Sequence, residues 1–103
     1  MDKVELAMSL IAGAGDARYH AMEAINIAKE GNFDEAREEL ILAKESMVEV
    51  HGIQTDLIRE EMSGKSSEVS LLMVHAQDHV TQAMMYRELA VNFIDLYEKM
   101  YKG

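Results

Sequence analysis

Two imidazoles and a carboxylate fall within five residues, His75-Ala76-Gln77-Asp78-His79. On a helix, residues i, i+3 and i+4 share a face, so His75, Asp78 and His79 converge. The surroundings are apolar: Val69-Ser70-Leu71-Leu72-Met73-Val74 precedes, and Met84, Met85, Leu89, Val91, Phe93, Ile94 and Leu96 follow. Burying an unpaired polar group costs about 1–3 kcal/mol, and an unpaired carboxylate costs more. Three such groups in an apolar stripe therefore point to chemistry or to a metal.

Several metal chemistries are excluded by the neighbours. His75 and His79 have the i, i+4 spacing of zinc proteases, but that motif needs Glu directly after the first His, where Ala76 stands. A di-iron bundle needs Glu-x-x-His on two helices, and no such pair exists here. His20 and His51 are isolated and read as structural or surface residues. Neutral imidazole is, however, a good nucleophile toward phosphorus when one ring nitrogen is free and a neighbour holds the ring. His75, with His79 one turn away and Gln77 and Gln82 nearby, has those parts. The competing reading is a pair of satisfied interior histidines.

Asp78 raises a separate question. If its helix lies on a symmetry axis, copies of Asp78 approach one another, and like charges so placed need compensation. A hard divalent cation with oxygen ligands would supply it. A raised pKa, an exposed position or an ion pair with His79 would also resolve the conflict.

Three helices must position these groups. The first is expected from about Asp2 to Glu30, with Leu10, Ala14, Ala17, Ala21, Ala24 and Ala28 in one narrow arc. Such a seam lets another helix approach closely. Gly13 and Gly15 cost up to about 1 kcal/mol each relative to Ala and mark close packing or a kink. Gly31 is a C-cap candidate. The turn Gly31-Asn32-Phe33-Asp34 follows, with Asn32 and Glu35 at capping-box spacing. The second helix runs to about Met62 along the stripe Ala36, Leu40, Ala43, Met47, Val50, Leu57 and Ile58. The break Ser63-Gly64-Lys65-Ser66-Ser67 is the segment expected to be most mobile. There Gly64 ends helix two, Ser66 or Ser67 caps helix three, and Glu68 suits its first turn.

Helix three, expected from about Ser67 to Tyr101, differs from the others. One stripe holds Leu71, His75, Asp78, His79, Gln82, Tyr86, Leu89, Phe93, Leu96 and Met100. A second face holds Val69, Leu72, Met73, Ala76, Val80, Ala83, Ala90, Val91 and Ile94. Only a narrow strip around Ser70, Gln77, Thr81, Glu88 and Asp95 reads as solvated. A helix apolar most of the way round is buried on both sides, and two partner helices in one chain cannot easily surround it. Short turns make sequential helices antiparallel. The expected fold is therefore all-α, an up-down-up three-helix bundle that self-associates with helix three near the centre.

Composition sets the limits. At 103 residues the chain is expected to form one domain with a modest core. Apolar residues at 49%, no Pro and few Gly suit a helical fold and exclude disorder. No Cys means no disulfide framework and no thiolate chemistry. The N-terminus lacks the basic region and apolar run of a signal peptide, and no stretch suits a bilayer span. A soluble, intracellular protein is expected. Net charge of −9 argues against nucleic acid and suits a protein partner with a basic face, or simply solubility. The nine Met read as core filling. Gly31-Asn32-Phe33-Asp34-Glu35-Ala36 resembles a tetratricopeptide turn, but such arrays need at least three units at a period of about 34 residues, and no second copy is present.

The run Leu71-Leu72-Met73-Val74-His75-Ala76-Gln77-Asp78-His79 resembles the signature of the enzyme IIA component of the lactose/cellobiose class of the bacterial phosphoenolpyruvate-dependent sugar phosphotransferase system. Ala14-Gly15-Asp16-Ala17-Arg18 with Ala21-Met22-Glu23-Ala24, and His51-Gly52-Ile53-Gln54-Thr55 with Leu57-Ile58, agree in order and spacing. The resemblance implies that His75 accepts a phosphoryl group from the phosphocarrier protein HPr and donates it to the sugar-specific IIB component. It implies that Asp78 binds a shared metal, Mg²⁺, on the threefold axis of a homotrimer, and that His79 supports the reaction without covalent attachment. It also implies a cytoplasmic location without membrane insertion, and leaves lactose, cellobiose and diacetylchitobiose as candidate sugars. The chain departs from the family at Val80-Thr81-Gln82, where Leu-Met-Thr is common, and at Arg18-Tyr19-His20. The alternative reading is a non-catalytic helical assembly module with a structural metal at Asp78.

Overall fold

The structure, a computed structural model, describes residues 2–65 and 69–103. Three helices account for almost all of them: α1 Lys3–Lys29, α2 Phe33–Met62 and α3 Leu71–Lys102. Helices of 27, 30 and 32 residues at about 1.5 Å per residue give a rod of 55 × 20 × 19 Å.

Local chemistry sets the ends. Asp2 caps α1 by accepting from the Glu5 N–H at 2.8 Å. At Gly31 (φ +85°) and Gly64 (φ +84°) the chain enters the left-handed region that glycine tolerates. The N–H groups of Gly31 and Asn32 then reach back to the carbonyls of Ala28 and Ile27, and those of Gly64 and Lys65 to Glu61 and Glu60, which closes both helices. Both glycines fulfil the expected stop. Asn32 takes the expected N-cap position ahead of Phe33, but its side chain makes no capping bond. The expected caps Ser66 and Ser67, with Glu68, lie outside the described residues. Ser70 caps α3 instead, accepting from the Met73 N–H at 3.1 Å, so the helix starts at Leu71 and Val69 lies outside it.

The bundle runs up, down and up. One core cluster joins the start of α1 (Ala7, Leu10, Ala14, Ala17) to the end half of α2 (Met47, Val50) and the start of α3 (Ala76, Val80, Ala83). At the other end Ala24 and Ala28 of α1 meet Ala36 of α2 and Ile94 of α3. The α1 seam is buried as expected, and Ala7 extends it. Gly13 serves close packing, since an added Cβ would collide with Val50 Cγ2, whereas Gly15 has open space around it. On α2, Ala36, Ala43, Met47 and Val50 are buried, but Ile58 is half exposed.

Cross-helix polar contacts close the end opposite the His motif. Arg37 of α2 forks onto both carboxylate oxygens of Glu98 of α3, at 3.1 and 3.3 Å. The Tyr101 hydroxyl donates to the Lys29 carbonyl at 2.6 Å, and its ring packs edge-on against Phe33.

Eleven of the sixteen buried apolar residues described are alanine, so the helices lie close but the core is thin. The large apolar side chains are displaced outward. Leu71 (85% exposed), Leu89, Phe93, Leu96 and Met100 (65%) line one exposed stripe along α3. Of the two apolar faces expected on α3, the alanine-rich one is buried within the protomer and the bulky one is not.

Candidate functional site

His75, Asp78 and His79 all lie on α3, in its first two and a half turns. The helix backbone alone sets their spacing. His79 stands one turn above His75, and the two Nε2 atoms are 3.0 Å apart. The rings are perpendicular with centroids 4.4 Å apart. Imidazole nitrogens at that distance share one proton: one Nε2 donates and the other accepts. His75 is exposed and His79 half-buried. The nucleophile candidate is therefore held by its neighbour on one nitrogen while its face stays open. Within the protomer His75 is not an interior residue.

Asp78 is exposed and forms no hydrogen bond or ion pair with a described residue. Of the alternatives for Asp78, the exposed position holds in the protomer, and no ion pair with His79 is present among the described residues. No group of three His, Cys, Asp or Glu among them could hold a metal within one protomer. A single unpaired carboxylate, set in the exposed apolar stripe between Leu71 and Leu89, suits a hard cation only where further copies bring further oxygens. Gln82 is exposed on the same stripe.

Gln77 departs from its expected solvated place. Its side chain is partly buried and accepts from Gln54 Nε2 at 2.8 Å, while its own Nε2 points to Met73 Sδ at 3.7 Å. Gln54 thus ties α2 to α3 within two residues of His75. The sequence offered Gln54 only as part of the segment His51-Gly52-Ile53-Gln54-Thr55, with no hint of its partner 23 residues away. Arg18 lies 5.2 Å from the Tyr86 ring centroid, a cation–π contact between α1 and α3 above the histidines. Of the isolated histidines, His20 is held by Glu39, Nδ1 to Oε2 at 2.6 Å, and His51 is exposed.

Among the described residues, two clefts are of interest. One of about 330 Å³ is bounded by Leu57, Ile58, Met73 and Gln77, and one of about 370 Å³ by Lys44, Met47, Met84 and Arg87. Neither is lined by His75 or His79. An open surface at the nucleophile suits a macromolecular donor better than an engulfed small substrate. Arg87 was missed in the sequence, although its spacing carried the signal. It continues the buried series Ala76, Val80, Ala83, Ala90 and Ile94 at core-facing intervals.

The sequence model of the family described as "PTS system, Lactose/Cellobiose specific IIA subunit" matches residues 5–98. The chain is 44% identical to the lichenan-specific phosphotransferase enzyme IIA component of Bacillus subtilis (strain 168), over 93% of this chain and 87% of that protein. It is 38% identical to the N,N'-diacetylchitobiose-specific EIIA component of Escherichia coli K12, over 93% and 83%. Among solved structures, the cellobiose-specific enzyme IIA from Bacillus anthracis superposes with a TM-score of 0.94 at 44% identity, covering 99% of this chain and 94% of that one. The IIA(chitobiose) of Escherichia coli, solved in complex with HPr, superposes with a TM-score of 0.84 at 35% identity, covering 98% and 99%. Among the described residues, no helix is long and apolar enough to cross a membrane.

Proposed function

The chain belongs to the lactose/cellobiose-specific IIA family of the sugar phosphotransferase system, and from that premise we propose that it is a cytoplasmic phosphocarrier whose His75 carries the phosphoryl group. The observation that carries the reading is the exposed His75 imidazole, held Nε2 to Nε2 by His79 at 3.0 Å. With His79 as donor, His75 Nδ1 holds the proton and the Nε2 lone pair accepts the His79 hydrogen bond, which breaks as that lone pair turns to phosphorus. Phospho-HPr presents its phosphorus, the Nε2 lone pair attacks in line, and a P–N bond forms as the bond to the donor breaks. The pair of that bond returns to the leaving nitrogen. His79 Nε2–H is then free to donate to a phosphoryl oxygen, where negative charge concentrates. Passage to the sugar-specific IIB component reverses these events and restores neutral His75. The HPr step draws support from the Escherichia coli relative solved with HPr.

The exposed stripe Leu71, Leu89, Phe93, Leu96 and Met100 supports a homotrimer with α3 inside. In that arrangement the Asp78 carboxylates converge, and a divalent cation, Mg²⁺, would neutralise their repulsion. Its contribution is assembly, not a step of the transfer. The sugar is handled by later components, so no sugar pocket is expected here.

Intact mass after incubation with phosphoenolpyruvate, enzyme I and HPr tests the proposal. A gain of one acid-labile phosphate, absent in His75→Ala, is expected. No gain with active upstream components, or a normal gain in His75→Ala, would return the chain to an assembly module with a structural metal.

A further inference from the structure

On α3 the core-facing series Ala76, Val80, Ala83, Ala90 and Ile94 is interrupted by one charged residue, Arg87. Its Nε is buried and has no hydrogen-bond partner. A buried N–H of a guanidinium without an acceptor is costly. Arg87 also lines the cleft of about 370 Å³ between α2 and α3. Lys44, Val48 and His51 reach this cleft from α2 at i, i+4 and i+7. Met84, Arg87 and Glu88 reach it from α3 at i, i+3 and i+4. Met47 and Gly52 complete the lining.

The lining has two parts. Met47, Val48 and Met84 form an apolar wall, and Gly52 leaves that wall without a side chain. Arg87 and Lys44 bring two permanent positive charges against the one carboxylate of Glu88, in a chain whose net charge is −9. Lys44 forms no ion pair with a described residue. The planar guanidinium fork matches a carboxylate or a phosphate, and Lys44 adds a point charge. At 100° per residue, Arg87 lies on the far side of α3 from the exposed stripe that includes Asp78 and Leu89.

We propose that this cleft is a binding site for a small organic oxyanion: a carboxylate or phosphate head on Arg87 and Lys44, with a compact apolar body against Met47, Val48 and Met84. The head pairs with the Arg87 and Lys44 charges that line the cleft, and the body covers its apolar wall. The site is separate from His75 and stands whether or not His75 carries phosphate.

The test is an amide NMR titration of the full chain with hexanoate, inorganic phosphate and hexanol. Hexanoate is expected to saturate, with shifts centred on Lys44, Gly52 and Arg87, and to bind more tightly than phosphate or hexanol. Arg87→Gln should weaken it about tenfold or more, the worth of a charge-assisted bond. Lys44→Gln, at an exposed position where folding is not at risk, should weaken it less, and Glu88→Gln should tighten it. No saturation, hexanol matching hexanoate, or equal affinities in wild type, Arg87→Gln and Lys44→Gln would overturn the proposal. A changed sedimentation coefficient in Arg87→Gln with unchanged hexanoate affinity would also overturn it, since the acceptor would then be a carboxylate of another copy. The far-UV circular dichroism spectrum of Arg87→Gln serves as the folding control.

Discussion

His79 Nε2 lies 3.0 Å from His75 Nε2 with the rings at 90°, and the side chains spring from successive turns of α3. One proton fits between them, so the pair works only as one donor and one acceptor. Because the spacing comes from the helix itself, loss of one ring leaves the other in place.

Removing His79 should therefore slow phosphorylation of His75 without abolishing it. His79→Ala is expected to reach the same end-point mass as wild type, at a rate lower by about 10²-fold, the low end for a positioned proton donor. Quench-flow with phospho-HPr measures it. A wild-type rate would leave His79 with no part in transfer, and a zero end point would place the phosphate on His79 or make that ring essential.

Asp78 is exposed and unpaired within the apolar stripe of α3. Asp78→Leu is expected to lose bound divalent metal while the trimer survives or tightens, because converging like charges become apolar contacts. Light scattering and metal analysis on the purified protein follow both. Monomers only would remove Asp78 from any shared axis.

Gly13 lets α1 meet α2 at Val50, and an added Cβ there would collide with Val50 Cγ2. Gly13→Ala gains up to about 1 kcal/mol of helix propensity but overpacks the contact at about 1–3 kcal/mol. Net destabilisation is expected, measured by urea unfolding. Combining it with Val50→Ala should recover part of the Gly13→Ala loss, a non-additivity that a pure backbone effect would not show.

Arg37 holds Glu98 by a forked hydrogen bond, aided by its charge and that of Lys102, and this keeps the Glu98 carboxyl below its ordinary range despite desolvation. A carboxyl depressed in the native state stabilises the fold above its unfolded pKa of about 4.3 and loses that contribution as pH falls through the native value. Arg37, raised by the same bond to Glu98, stays charged throughout and adds no slope there. Glu98→Gln should unfold at lower urea than wild type at pH 7, with the gap closing by about pH 3. A gap that persists unchanged at pH 3 would assign Glu98 a packing role only.

The His-Ala-Gln-Asp-His spacing, the α1 seam and the two glycine stops were legible in the sequence because each depends on residues within one or two turns. Helical periodicity puts His75, Asp78 and His79 on one side wherever the helix lies. The caps were less legible: Ser70 caps α3, and Asn32 stands at the α2 N-cap without a side-chain bond. The Gln54–Gln77 bond, the Arg37–Glu98 fork and the Arg87 cleft join residues 23, 61 and up to 44 positions apart. No local pattern encodes those partners.

By itself the sequence determined three long helices, their order and the convergence of the two histidines, since the backbone hydrogen bonds and side-chain period that fix these act within a few residues. Only the tertiary structure decided which apolar face of α3 the protomer buries. Eleven alanines bring the helices too close for Leu89, Phe93 or Leu96 to enter the core, so the bulky face is left outside and carries the exposed His75 with it.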